Sequence, residues 1–315
     1  MADSTEEASI RSHLLFLTSL CGTETLVGLL IQSFIVAVNV IDWLKQRSVG
    51  AADKIITFIG ISRIFFHTAV LLYSISKLYN NRIPEIVITL SHFIRNISNL
   101  ASIWLSTLLS VFFYVKISTF HNVFFLRLKS IILKRVTYLI IGSVLLSLGY
   151  TFFGYMILNV NYFRNGTQND YSYSRGRKMK MYVYIFCVSF PFLVLLIASF
   201  LLIILLGFHI RRMNNGGNVT SSTNTYHRIM KFTVLSFLSC ALNDLVNLFQ
   251  MFMQLLNIIW FLAAINIFPI LHSVLLIFVA MKLRNQFFRI VRCRTDRLFN
   301  RKTPGPPELV EETHL

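Results

Sequence analysis

The sequence predicts an all-α membrane protein built as a bundle of seven transmembrane helices. Three observations carry that prediction. Hydrophobic residues make up 55% of the 315 and charged residues only 14%, too little charge to wet the surface of a soluble protein of this size. The apolar residues gather into seven runs, each near or above the ~20 residues that an α-helix needs to cross a hydrocarbon core. The basic residues lie almost entirely between those runs. The same composition excludes a chain disordered over most of its length. Four cysteines (Cys21, Cys187, Cys240 and Cys293) are too few for a small disulfide scaffold.

The runs follow in order. The first covers about 14–41, the second about 55–76 and the third about 88–115. The fourth covers about 136–159, the fifth about 181–208, the sixth about 229–252 and the seventh about 257–280. Arg95, Asn96 and Asn99 dilute the third, and Asn257 and Asn266 dilute the seventh. The opening MADSTEEASI is acidic and has no basic stretch before the first apolar run, so a cleaved signal peptide is not expected. The first run is expected to stay as a membrane span. The organisation that follows is a short N-terminus over 1–13, a membrane domain over 14–280 and a tail over 281–315.

Charge gives an orientation. The formal net charge is +17, which in a soluble chain would suggest a nucleic-acid partner. Here no nucleic-acid motif accompanies it. With the N-terminus outside, 20 of the 30 Lys and Arg residues fall in inner segments and 9 in outer ones, and Arg63 lies inside a span. Positive charge favours the cytoplasmic side, so the expectation is a plasma-membrane protein with its N-terminus outside and its C-terminus inside. The exception is the basic cluster Arg175–Lys180 on the outer side. The sequon Asn165-Gly-Thr167 lies in the outer segment between spans four and five and is the expected glycosylation site. Asn218-Val-Thr220 falls inside, and Asn96-Ile-Ser98 lies at the edge of span three.

Several residues break the apolar pattern. Arg63 sits deep in span two, where a charge costs at least ~2.5 kcal/mol, so it must face the bundle or water. A hydrogen-bond hub tying helices together accounts for it, and a part in switching is compatible with that role. Glu24 lies in the outer half of span one. Asn243, Asp244 and Asn247 form a polar group in span six, with Asp244 and Asn247 three apart on one face; they either line a cavity or satisfy each other. Trp104 in span three is either packing or one aromatic wall of a pocket. Pro191 and Pro269 each remove a helical hydrogen bond from spans five and seven. Enzymatic motifs are missing: there is no HExxH, no Walker loop, no dinucleotide fingerprint and no GxSxG. No catalytic residue, metal site or cofactor is expected. No inverted repeat or filter-like loop favours a transporter or channel.

Seven helices with an outer N-terminus point to the G-protein-coupled receptor type of bundle, and the motifs go further. They run Asn39-Val-Ile-Asp-Trp-Leu-Lys45, Ile61-Ser-Arg-Ile64, Ser102-Ile-Trp104, Leu109-Ser-Val-Phe-Phe-Tyr-Val-Lys-Ile117 and Phe125-Leu-Arg-Leu-Lys129. Then come Leu196-Ile-Ala-Ser-Phe200, His227 with Lys231, Phe268-Pro269, His272-Ser-Val-Leu-Leu-Ile277 and Lys282-Leu-Arg284. In this order, over about 25–290, the chain resembles the bitter taste receptors, the taste receptor type 2 family. Tyr114-Val-Lys116 and His272-Ser-Val274 stand where many other receptors carry DRY and NPxxY. No cysteine falls in 78–100 or 160–180 to clamp span three to the second outer loop, a bridge that the bitter receptors also lack. The chain departs from the family at Gln32, Leu108 and Ala280.

The resemblance implies a chemosensory receptor for small bitter compounds, bound in an outer cavity between spans three, five, six and seven with a contribution from two. Mapped onto this chain, Trp104, Leu105, Leu108, Asn247 and Gln250 are the expected ligand contacts. Gln32, Arg63, Ser199 and His272 are the expected activation and structural residues, with Gln32 paired to Arg63 and His272 to Ser199. Lys116, Arg127, Lys129, His209, His227, Lys231, Lys282 and Arg284 are expected to face a heterotrimeric G protein with a gustducin-type, inhibitory-class alpha subunit, upstream of phospholipase C and calcium. Membrane lipids are the other expected partners. The tail from Cys293 onward reads as disordered, with Cys293 a candidate for palmitoylation. The readings that compete are a type 1 vomeronasal (pheromone) receptor and a small-molecule transporter.

Overall fold

The structure is a computed structural model and describes residues 2–45, 50–78, 84–118, 123–164, 170–215, 221–252 and 258–300. All regular structure among these is helical. The seven apolar runs fall on α1 (Ala2–Leu44), α2 (Ala51–Leu78), α3 (Glu85–Ile117), α5 (Val136–Arg164), α6 (Asp170–Asn215), α7 (Ser221–Phe252) and α8 (Ile258–Val279). Two further helices, α4 (Val123–Lys134) and α9 (Met281–Asn300), lie outside the seven runs.

Among the described residues six helices are each long and apolar enough to cross a membrane: Thr18–Leu44, Ala51–Ser76, Glu85–Ile117, Val136–Met156, Ile185–Arg211 and Ile229–Asn247. The seventh candidate is α8 taken with α9, whose axes bend by 93° between them. Neighbours in the ring are α1 with α2, α5 with α6, α6 with α7, α7 with α8, and α8 with α1. Helix α3 runs through the middle, packed against α2, α5 and α6. Large apolar side chains such as Leu30, Phe65, Leu145, Phe200 and Leu245 point outward, as a lipid-facing surface requires.

Two apolar clusters lie at opposite ends of the bundle. One joins Ile35, Ile59, Leu105, Leu109, Phe112, Ile140, Phe232, Leu276 and Leu283 near the α8–α9 elbow. The other joins Cys21, Phe66, Val70, Tyr73 and Ile265 near the opposite end. The buried hydroxyls along the helices mostly bond one turn back: Thr25 donates to the Cys21 carbonyl, Thr57 to Asp53 and Ser147 to Ser143. That is how a polar side chain is kept satisfied where no water reaches it.

Helix α9 corrects one expectation from the sequence. The chain is helical through Cys293 to Asn300 rather than disordered from Cys293, while 301–315 lie outside the described residues. The reason is amphipathicity. Leu283 inserts into the core, Phe287 meets Phe34 of α1 edge-on at 6.0 Å, and Arg289 and Arg292 are exposed. Helix α4 works the same way, burying Ile132 and exposing Leu126, Arg127 and Leu128. Helix α1 begins at Ala2, so the N-terminal residues continue the first span's helix. The four cysteines are free, and Cys21 does not bridge to Cys187.

Candidate functional site

Arg63 organises the middle of the bundle. It projects from α2 between the two apolar clusters and is only 4% exposed. Its Nε donates to Ser102 Oγ on α3 at 3.0 Å. Its Nη1 donates to Ser273 Oγ at 2.6 Å and to the Pro269 carbonyl at 3.3 Å, both on α8. Ser273 is the second centre: its hydroxyl also accepts from Gln32 Nε2 on α1 and donates to the Pro269 carbonyl at 2.8 Å. Four helices therefore meet through one guanidinium and one hydroxyl. Pro269 has no N–H to bond the carbonyl of residue 265 one turn back, and its own carbonyl accepts from both Arg63 and Ser273.

The expected pairings change in detail. Gln32 and Arg63 meet through Ser273 rather than directly, and Gln32 Oε1 is left without a partner. His272 packs edge-on against Phe232 at 5.9 Å. Its Nδ1 and the Ser199 hydroxyl are both buried without hydrogen-bond partners among the described residues, so the two do not bond each other. A cavity of about 30 Å³ opens beside Arg63, lined by Asn99, Ser102, Ser106, Ser239, Cys240, Asn243 and His272 among others. Two buried residues that the sequence reading did not single out lie toward the N-terminal end of α1. Asn266 donates to the Thr25 hydroxyl and the Cys21 sulfur, and His67 lies against Gly28.

The expected ligand residues are distributed over α3 and α7. Trp104 is half-buried, with its ring 5.8 Å from Phe190 of α6. One turn on, Thr107 ties α3 to α6 by donating to the Pro191 carbonyl at 3.2 Å. Leu105 is fully buried in the larger apolar cluster, and Leu108 packs against that cluster. Asn247 donates to the Asn243 carbonyl on its own helix at 2.8 Å. Asp244, buried one turn away, lines a groove of about 180 Å³ between α6 and α7 together with Ile185, Val188, Ser189, Phe192, Ala241 and Leu245. The structure thus joins Asp244 to α6, while Trp104, Leu105, Leu108 and Asn247 line neither of these two cavities. The Gln250 side chain and Asn165 lie outside the described residues.

At the opposite end the basic residues divide into two groups. Lys282 pairs with Asp42 at 2.9 Å and donates to Asn39 Oδ1 at 2.8 Å, which clamps the start of α9 to the end of α1. This explains the Asn39-Val-Ile-Asp42 spacing: three residues apart on a helix, both polar groups face the same partner. Lys129 donates to the Ser118 carbonyl at 2.7 Å and so caps the end of α3 from α4. Lys116, Arg127, His227 and Lys231 are exposed, while His209 and Arg284 are half-buried. Among the described residues no three His, Cys, Asp or Glu side chains gather as a metal site.

Comparison with known proteins covers nearly the whole chain. The sequence model of the taste receptor protein family (TAS2R) matches residues 10–295. Taste receptor type 2 member 117 of Rattus norvegicus is 32% identical over 294 residues, covering 85% of this chain and 88% of the relative. Taste receptor type 2 member 7 of Pan paniscus is 30% identical over 328 aligned positions, covering 97% and 98%. Among solved structures, squid rhodopsin superposes with a TM-score of 0.61 at 14% identity, covering 94% of this chain and 93% of that one. At that identity the likeness shows the helical-bundle fold alone.

Proposed function

We propose, from the premise that this chain belongs to the taste receptor (TAS2R) family of bitter-taste receptors, that it detects small, largely apolar bitter compounds and passes the signal to a gustducin-type G protein. The observation that carries the reading is the family match over residues 10–295, nearly all of the helical body. In this reading 14–280 is the receptor domain, 1–13 lies outside the cell and 281–315 lies in the cytoplasm. The compound enters the outer half of the bundle, with Trp104, Asn247 and Gln250 as its contacts, while Leu105, fully buried in the inner apolar cluster, and Leu108, packed against that cluster, form the floor beneath rather than the contact surface.

Two features support that location. Trp104 offers an aromatic face at the α3–α6 contact, and the groove between α6 and α7 is mostly apolar with a single carboxylate. Few polar groups in an apolar cavity suit broad recognition. Agonist binding shifts the population toward an active bundle only as far as the compound prefers that bundle. Gln32, Arg63, Ser199 and His272 lie where such a shift would repack hydrogen bonds. At the inner face Lys116, Arg127, Lys129, His209, His227, Lys231, Lys282 and Arg284 meet the G protein, whose beta-gamma subunits then drive phospholipase C and calcium release.

The test is intracellular calcium in cells that express the chain with a gustducin-containing chimeric G protein, challenged with a panel of bitter compounds. A dose-dependent response absent from mock cells is expected. A surface-matched Trp104→Ala variant should lose at least ~10-fold in potency, the equivalent of ~1.4 kcal/mol of aromatic contact. Silence from a receptor confirmed at the surface, across the whole panel, would overturn the reading.

A further inference from the structure

The cavity beside Arg63 holds a cation without a counter-ion. Arg63 forms no ion pair among the described residues, and every partner of its guanidinium is neutral: two serine hydroxyls and one carbonyl. Asp244, the carboxylate on the neighbouring stretch of α7, lines the α6–α7 groove instead. Arginine does not escape by losing its proton. A buried charge with no opposite charge is among the most costly arrangements in a protein interior.

The cavity wall has matching vacancies in its hydrogen bonding. Ser106 Oγ and His272 Nδ1 are buried, belong to residues that line the cavity and have no partner among the described residues. Ser102 accepts from Arg63, which leaves its own hydroxyl hydrogen to donate. With the imidazole proton on Nδ1, His272 donates too. A guanidinium, two hydroxyls and an imidazole N–H thus converge on about 30 Å³ from α2, α3 and α8. Asn243 places an unpartnered oxygen on the α7 side, so the donors come from the other three helices. The space exceeds what one water needs and is far too small for an organic molecule. Water would meet the hydrogen bonds and leave the charge unbalanced, whereas a small monovalent anion meets the donors and the charge and leaves only the Asn243 oxygen unmet. We infer that this cavity is a chloride site, with Arg63 as counter-charge and Ser102, Ser106 and His272 as donors.

The test is thermal unfolding of the purified receptor in lipid nanodiscs, in sodium chloride and in sodium gluconate at equal ionic strength. Gluconate is too large for the cavity. The melting temperature is expected to be higher in chloride by about 3 °C or more. Ser106→Asp places a carboxylate in the cavity on the protein itself, so this variant should melt at the same temperature in both salts. Ser106→Ala, a milder change, should raise the chloride concentration that gives half the effect by about tenfold, as loss of one hydrogen bond to a charged group predicts. Equal melting temperatures for the native receptor in the two salts mean that water alone fills the cavity. A chloride effect that persists unchanged in Ser106→Asp or Ser106→Ala is a general salt effect. Either result overturns the site.

Discussion

At the scale of single residues, Ser273 carries more of the structure than any charged group except Arg63. One hydroxyl accepts from Gln32 and Arg63 and donates to the Pro269 carbonyl. Removing it strands the Gln32 amide and leaves Arg63 Nη1 with only its longer bond to the Pro269 carbonyl. Ser273→Ala should therefore destabilise the purified receptor by about 1–3 kcal/mol, the cost of leaving a buried partner unmet. Thermal unfolding measures this, and a melting temperature within error of the native protein would show that the hub has other means of support. Arg63 was legible in the sequence because a mid-span charge is expensive and must be explained. Ser273 was not. Serine is unexceptional in a membrane helix, and only the packing of α1, α2 and α8 shows that it stands between Gln32 and Arg63. The same holds for Asn266 and His67, whose partners lie on other helices.

At the scale of elements, hydropathy located the crossings well and the surface helices poorly. The seven apolar runs coincide with α1, α2, α3, α5, α6, α7 and α8 to within a few residues over most of their ends. Helices α4 and α9 escaped because each alternates basic and apolar residues, a pattern that a search for long apolar runs passes over. What the runs also hide is how closely two helices approach. On α1, a Cβ added at Gly28 would lie 2.5 Å from the His67 imidazole of α2, closer than side chains pack. His67 is fully buried and has no room to retreat. Gly22, nearly two turns earlier on the same helix, has nothing within 4 Å. The two glycines should respond oppositely to one change. Gly28→Ala forces α1 from α2 at about 1–3 kcal/mol. Gly22→Ala is neutral or stabilises by up to ~1 kcal/mol, since alanine is the better helix former. Paired unfolding measurements decide it, and equal effects at the two positions would mean that the α1–α2 contact is looser than the geometry implies.

At the scale of the whole molecule, fold and direction are separate questions. A bundle of seven spans is fixed by apolar length and by the match of its helices to a rhodopsin, yet the same bundle can be inserted with either end outward. Charge distribution breaks that symmetry: the end carrying Lys45, Lys116, Arg127, Arg135, Lys231 and the α9 arginines is the more basic. If that end is cytoplasmic, Asn165 is exposed to the glycosylation machinery and Asn218 is not. Enzymatic removal of N-glycans should then increase the gel mobility of the native receptor by one glycan's mass. Asn165→Gln should abolish the shift, and Asn218→Gln should leave it intact. A glycan at Asn218 would invert the molecule. It would put the Lys282–Asp42 clamp and α9 outside the cell and leave Arg175–Lys180 as the main basic cluster inside. A single mobility measurement on three proteins therefore tests the orientation on which both the ligand side and the signalling side depend.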